Sequence, residues 1–283
     1  MRSAIRLSIA AVTMACAACT APHPSPPSAP PQPAPQQAPP GVQLAAMPTG
    51  TATLTWAPDT RLITAAVDMK GFTPSHTHAM HLYPGSCADQ GKPASVSFPD
   101  ISADAGGSVR NTVTDTTPQP GIPVGSHLTV YLGSSAQLGA PRSLGNTSIA
   151  CADIPGTAPS HGAVQLMLRP AGNPVGRASL TYNPGDRTLR VDVQAYGLSP
   201  NRGHAMHIHA GSCVAQGDVV YPLPDLRTDR GGRASETTIL HNVSSAPPAR
   251  GWYLNVHMGA ANEIQLDSTP TLLYAPILCG DIP

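Results

Sequence analysis

The chain has little charge and few large aromatic side chains. Only 11% of its 283 residues are Asp, Glu, Lys or Arg, the formal net charge is zero, and there are two Phe and two Trp residues. Because the sequence has no excess of basic residues, we expect no nucleic-acid partner. Pro and Gly are frequent instead, with 33 and 26 residues. Turn formers between segments rich in Val and Thr favour short strands over amphipathic helices, so the composition predicts an all-β protein.

The N-terminus has the layout of an export signal over residues 1–19. Two arginines precede an apolar run at residues 7–15, which is too short to span a bilayer permanently, and small residues then precede a cysteine. The two alanines before Cys19 resemble a bacterial lipobox. We therefore expect lipidation of Cys19 and an exported protein anchored to the cell membrane, facing outside the cytoplasm. Cys16 is a competing acceptor, and simple secretion without lipidation is the alternative.

The segment that follows cannot form a folded core. Residues 20–42 are dominated by Pro and Ala, with Ser and Gln, and contain few residues that could be buried. Such a composition prefers an extended polyproline II conformation. We interpret it as a disordered linker between the membrane anchor and the folded part.

The folded part is an internal duplication. Residues 52–87 align with residues 178–213 without a gap, and the similarity resumes up to the ends of both copies. We place the two domains at residues 43–157 and 162–283. Alternating apolar residues at 62–69, 128–132 and 254–258 predict strands, and the Gly and Pro residues between them are typical of a sandwich or barrel.

Each copy contains two cysteines at matching places. In an exported protein these are expected to form disulfides. The pairing that keeps each bridge inside its own copy is Cys87 with Cys151 and Cys213 with Cys279. Metal binding by these cysteines is the weaker interpretation, because they lack close CxxC spacing.

The second copy carries a histidine pattern typical of a metal site. His207 and His209 are two apart on a predicted strand, so their side chains project from one face. His257 lies on another predicted strand and completes the set if the fold brings the two strands together. Three imidazoles suit copper or zinc.

These histidines also carry a resemblance to a known family. The segment GHAMHIHAGSC at residues 203–213 resembles the GxHGFHxHxxGxC segment of the Cu,Zn superoxide dismutase family. Residues 224–232 are similar to the family's LPNxxADxxG turn, residues 256–257 to its late copper-binding strand, and residues 278–282 to its terminal ACGVI.

The resemblance implies a fold and a set of roles. It implies two tandem Greek-key β-barrels or sandwiches of superoxide dismutase type, each with one internal disulfide. The sequence leaves open whether the two domains pack as an intramolecular pseudo-dimer. Copper would be held by His207, His209 and His257, which would form the redox centre of an active enzyme. His204 matches a histidine that bonds the backbone, and His78 is its counterpart in the first copy.

The sequence departs from that family in its zinc site and its anion guidance. No histidine lies between Cys213 and Leu240, so zinc is not expected, and the guiding arginine is absent from residues 271–277. The expected function is a copper-only superoxide dismutase-like envelope protein with an impaired rate. The alternatives are a non-catalytic copper-binding or buffering lipoprotein and a metal-free scaffold.

In the first copy the set of three histidines is not kept. Tyr83 stands at the position of His209 and Tyr131 at the position of His257, so only His81 remains. His76, His78 and His127 lie off the matching positions. We expect a metal-free structural domain with a closed, hydrogen-bonded pocket.

Overall fold

The computed structural model describes residues 41–89, 92–139 and 143–283. In this part of the chain the regular structure consists of strands and three short 3-10 helices. No helix among these residues is long and apolar enough to cross a membrane. The predicted export signal, Cys19 and the linker up to residue 40 lie outside the described residues, whereas Val42 is the first residue of a strand.

The strands are short, as the turn-rich composition predicts. In the first half of the chain they are β1 (Val42–Ala46), β2 (Thr49–Trp56), β3 (Ile63–Lys70), β4 (Thr77–His78), β5 (Met80–Pro84), β6 (Val96–Ser97), β7 (Ile101–Ser102), β8 (Ser108–Thr114), β9 (Ser126–Tyr131) and β10 (Ser148–Ile154). In the second half they are β11 (Gly162–Pro170), β12 (Val175–Asn183), β13 (Thr188–Tyr196), β14 (Gly203–Ser212), β15 (Ala215–Arg227), β16 (Ala234–Leu240), β17 (Trp252–His257), β18 (Gln265–Leu266), β19 (Thr269–Pro270) and β20 (Pro276–Ile282). The 3-10 helices are Ser135–Gln137, Leu144–Asn146 and Leu272–Tyr274.

Most of these strands form two barrel-like sheets of eight strands each. The first sheet has the order β6-β5-β9-β10-β11-β2-β3-β8, and the second has the order β15-β14-β17-β20-β1-β12-β13-β16. Two further pairs, β4 with β7 and β18 with β19, are separate. The prediction of an all-β protein is confirmed.

Each sheet buries one face, because apolar residues recur with the two-residue period of a strand. In β3 the buried positions are Ile63, Ala65, Val67 and Met69, and in β13 they are Leu189, Val191, Val193 and Ala195. The residues between them are exposed or half-buried. Two separate apolar cores result, one on each sheet.

The first strand of each copy lies in the sheet of the other copy. Strand β1 pairs with β12 and β20 of the second sheet, and its Val42 and Leu44 belong to the second core. Strand β11 pairs with β2 and β10 of the first sheet, and its Val164 and Leu166 belong to the first core. The two strand orders correspond position by position, with β1 and β11 exchanged.

Both expected disulfides are present, one in each sheet. Cys87 is bonded to Cys151, and Cys213 is bonded to Cys279. Each first cysteine is also fixed through its backbone N–H, which donates to the carboxylate two residues beyond its partner, Asp153 or Asp281, at 2.7 Å. The bridges therefore tie the end of each copy to the loop after β5 or the end of β14.

Candidate metal centre

Two neighbouring strands bring the predicted histidines together. Strands β14 and β17 are antiparallel partners, and His207 lies directly opposite Asn255. His257 is two residues beyond Asn255, so it lies diagonally from His207 on the same face. His209 follows His207 by two residues on that face too.

The three ring nitrogens converge on one point. One nitrogen from each of His207, His209 and His257 lies within 4.8 Å of the others, and in the described part of the chain this is the one group of three such ligands. His207 Nδ1 is 3.1 Å from His257 Nε2. His209 and His257 are fully buried, whereas His207 is half-buried and forms the more open side of the site.

Backbone carbonyls fix the orientation of the two buried rings. His209 Nδ1 donates to the carbonyl of Gly217 at 2.9 Å, and His257 Nδ1 donates to the carbonyl of Tyr274. With the proton held at Nδ1, the Nε2 atom of each neutral ring carries a lone pair, and that of His257 accepts from His207. His209 Nε2 is buried and has no hydrogen-bond partner. Metal-binding histidines normally donate a hydrogen bond in this way from the ring nitrogen that does not bind the metal.

The rings are held neutral at physiological pH. Burial, followed by the proximity of His209, lowers the pKa of His207 to about 4. Burial, followed by the proximity of His207, lowers the pKa of His257 to about 3. The pKa of His209 is lowered by burial as well. Only a neutral imidazole can bind a metal, so no proton has to be removed from a charged ring before binding.

Several residues that support the site could not be found from the sequence. Tyr253 stacks on His209 with ring centroids 4.9 Å apart and an interplanar angle of 18°, and Tyr274 contacts His257 at 4.4 Å. The supporting carbonyls belong to Gly217 and Tyr274. A backbone carbonyl leaves no signal in the residue type, so only the fold reveals it. The position of Tyr253 beside His209 follows from the strand register and is readable once that register is known.

The first copy replaces the histidine set by a tyrosine pair. Tyr83 and Tyr131 have ring centroids 6.2 Å apart, and His81 Nδ1 lies 3.1 Å from the Tyr83 hydroxyl. His127 stacks on Tyr83 at 5.5 Å, so the stacked pair of the second copy recurs with its two residue types interchanged. Burial and the hydrogen bond with Tyr83 raise the pKa of Tyr131. These contacts are those of a hydrogen-bonded cluster.

The two histidines assigned to the backbone both contact carbonyl groups. His204 Nδ1 is 3.0 Å from the carbonyl oxygen of His257, and His78 Nδ1 is 3.0 Å from that of Tyr131. Tyr131 is the last residue of β9, and His257 is the last residue of β17. His204 therefore fixes the backbone of His257, which is a candidate metal ligand.

Comparison with known families contradicts the family expected from the motifs. Residues 157–266 match the model of the CHRD domain, a β-sandwich family. The match covers less than half of the chain and includes all three histidines of the site. No curated protein matches the chain. The resemblance to the Cu,Zn superoxide dismutase family predicted from the motifs is therefore wrong as a family assignment.

The error has a physical origin. Each motif behind the resemblance is short, and each obeys a constraint that many β-proteins share. Alternate histidines are what a strand needs to form one ligand face, Gly and Asp are what a tight turn needs, and paired cysteines are what an exported domain needs. Four such motifs in order indicate similar local chemistry without establishing common descent.

Proposed function

We propose that the protein binds one copper ion in its second sheet through His207, His209 and His257. The observation that supports this most strongly is that one ring nitrogen from each histidine lies within 4.8 Å of the other two. In addition, Nε2 of His209 is buried and has no hydrogen-bond partner. A buried nitrogen without a hydrogen-bond partner is destabilising. A metal ion bound to this nitrogen would remove that cost.

The donor set favours copper among the common metals. The site offers three neutral nitrogens and no carboxylate or thiolate, so it suits neither magnesium and calcium nor an iron–sulfur cluster. Copper binds nitrogen sites more tightly than zinc in the general order of affinities. Zinc remains the competitor that an experiment has to exclude.

The support around the ligands makes the site ready for binding. The rings of His209 and His257 are held by carbonyls, and each is covered by a tyrosine ring. Little side-chain freedom is lost when a metal binds, which raises affinity. The Nδ1–H of His207 donates to His257 Nε2, so a metal held at these two nitrogens would require the His207 proton to lie on its other nitrogen, Nε2.

The second candidate function is redox catalysis at the same site. The half-buried position of His207 leaves one side of the ligand set accessible from solvent, whereas His209 and His257 are buried. A bound copper ion would supply one-electron chemistry, and superoxide is the substrate we propose for it. With a net charge of zero, the chain offers no overall attraction for an anion, so a slow rate is expected.

We place this activity in the cell envelope, on an exported chain anchored through lipid at Cys19. The two disulfides support an oxidising compartment. We also propose that both sheets have the same Greek-key topology, each built from one copy with the first strand of the other, because the two strand orders correspond position by position. The copies would then pack as an intramolecular pseudo-dimer.

Metal content after competition tests the copper assignment. The chain without its export signal is purified, treated with equal copper and zinc in excess, desalted, and analysed by mass spectrometry for both metals. We expect one copper per chain and little zinc. His257→Ala should lower copper affinity more than about 100-fold, since losing even an outer partner of a ligand costs 10- to 100-fold.

His241→Ala is the matched control, because His241 is an exposed histidine outside the site. Copper affinity in His257→Ala equal to that of the control would refute the assignment. A superoxide decay assay on the copper-loaded chain then separates the two candidate functions. A rate no greater than that of free copper leaves copper binding and eliminates the enzyme.

A further inference from the structure

The hydrogen-bonded cluster of the first copy joins a phenol to an imidazole. His81 and Tyr83 are two apart on β5, so their side chains share one face of that strand. His81 Nδ1 is 3.1 Å from the Tyr83 hydroxyl, and Tyr131 of β9 is hydrogen-bonded to Tyr83 as well. All three residues are half-buried, so each keeps some contact with solvent.

The surroundings of His81 equip it to accept a proton. Burial lowers the pKa of His81, so its ring is neutral at physiological pH and carries one lone pair. The negative charge of Asp100 acts in the opposite direction and favours the charged ring. Ser135 fixes that carboxylate, because its backbone N–H and its hydroxyl both donate to Asp100, the hydroxyl at 2.6 Å. A base within hydrogen-bond reach of a hydroxyl, with a carboxylate to stabilise the charge it gains, can take the hydroxyl proton.

The other tyrosines of the chain lack this arrangement. In the described part of the chain, Tyr83 is the one tyrosine whose hydroxyl is hydrogen-bonded to a histidine ring. Tyr182 donates to a backbone carbonyl instead, and the buried hydroxyl of Tyr253 has no partner. Tyr196 is the most exposed of the seven tyrosines, at 44%. Exposure alone therefore favours oxidation of Tyr196, whereas a proton acceptor in place favours Tyr83.

We propose that Tyr83 is a redox-active tyrosine, which gives one electron to a small oxidising radical while its hydroxyl proton moves to Nδ1 of His81. With nitrogen dioxide as the oxidant, the products are nitrite, a neutral tyrosyl radical and a protonated His81, so charge and atoms balance. Because the proton leaves with the electron, no cationic phenol has to form. The first copy is then a scavenger of small oxidising radicals, and it does not depend on copper, since it uses no ligand of the metal centre.

Nitration maps the radical, because a second nitrogen dioxide adds to the tyrosyl ring and leaves 3-nitrotyrosine. The chain without its export signal is kept metal-free with a chelator and treated with nitrogen dioxide generated by radiolysis of nitrite. Peptide mass spectrometry then measures early nitration at each tyrosine. A positioned base contributes about 10²- to 10⁴-fold, so we expect at least about tenfold more nitration at Tyr83 than at Tyr196. Nitration of Tyr196 or Tyr131 that equals or exceeds that of Tyr83 would overturn the proposal.

Two variants of His81 separate proton acceptance from packing. His81→Gln keeps an oxygen that can accept the hydrogen bond but is not a base, and His81→Phe keeps a ring without an acceptor. Both should lower nitration of Tyr83 at least about tenfold and leave that of Tyr196 unchanged. Unchanged nitration of Tyr83 in either variant would overturn the proposal. A thermal melt checks that each variant folds, and the ratio of Tyr83 to Tyr196 in the parent chain decides the proposal if a variant does not.

The matched controls are His241→Gln and His241→Phe, because His241 is an exposed histidine outside the cluster. These changes remove the same chemical group without touching the hydrogen bond to Tyr83, so nitration of Tyr83 should stay at the level of the parent chain. A loss at Tyr83 as large as that in the His81 variants would show that the hydrogen-bonded imidazole has no special part in the oxidation, and it would overturn the proposal.

Discussion

Exchange of the first strands predicts that a core mutation acts on the sheet of the other copy. Leu44 of β1 and Leu166 of β11 are 3% and 4% exposed, and they belong to the second and the first core respectively. A buried Leu→Ala change costs about 2–5 kcal/mol. With a urea dependence of about 2 kcal/mol per M, a loss of about 3 kcal/mol lowers the unfolding midpoint by about 1.5 M.

The chain carries a natural reporter in each sheet. Its two tryptophans are Trp56 in β2 of the first sheet and Trp252 in β17 of the second, and each packs against the core of its own sheet. Replacing either one by Phe leaves a single fluorescent probe. Leu44→Ala should shift the urea transition seen by Trp252, and Leu166→Ala should shift the transition seen by Trp56.

The opposite pattern would refute the exchange. If each copy kept its own first strand, Leu44→Ala would shift the Trp56 transition and leave the Trp252 transition in place. If both sheets unfold in one step, both probes move together, and native-state hydrogen exchange replaces fluorescence. In that case Leu44→Ala should speed exchange in β12 and β20, which flank β1, more than in β2 and β10.

Three further predictions concern the histidines and the bridges. Changing both Tyr83 and Tyr131 to His restores the ligand positions of the first copy, so metal analysis should find up to two copper ions per chain instead of one. Burial lowers the pKa of His78 to about 4 from 6.5, so the contribution of His78 to folding stability is constant above pH 6.5 and falls as the pH drops from 6.5 to 4. In a pH series of thermal melts, His78→Phe should therefore lose less stability than the parent chain on acidification. The variant should be less stable at neutral pH, because the Tyr131 carbonyl loses its donor. Replacing Cys213 and Cys279 together by Ala should cost about 2–5 kcal/mol in chemical unfolding, and a reducing agent should then no longer affect the second sheet.

Much of the fold follows from local patterns in the sequence. Apolar alternation at residues 62–69 predicted β3, and the later alternations predicted β9 and β17, each to within two residues at either end. The two-residue spacing on one strand predicted that His207 and His209 share a face, whereas His257 was added through the motif resemblance, on the condition that the two strands are neighbours. The structure brings one ring nitrogen of each histidine together within 4.8 Å.

The exchange of strands could not be predicted, and the reason lies in the strands themselves. Val42, Gln43 and Leu44 of β1 recur as Val164, Gln165 and Leu166 in β11, so each strand satisfies the pairing and burial needs of either sheet. Periodicity therefore cannot choose between the two arrangements. The connections decide it: only two residues separate β1 from β2, although these strands are not paired with each other.

The exchange also gives the first copy a part in the proposed metal site. Along one line across the second sheet, Ala45 of β1 pairs with Cys279, Cys279 pairs with Asn255, and Asn255 pairs with His207. Strand β1, the neighbour of β20, therefore comes from the copy that lacks the three histidines. The second sheet needs this strand, because without β1 the strand β20 would have an open edge. Loss of copper binding on deletion of residues 41–46, with the three histidines intact, would be the signature of this dependence.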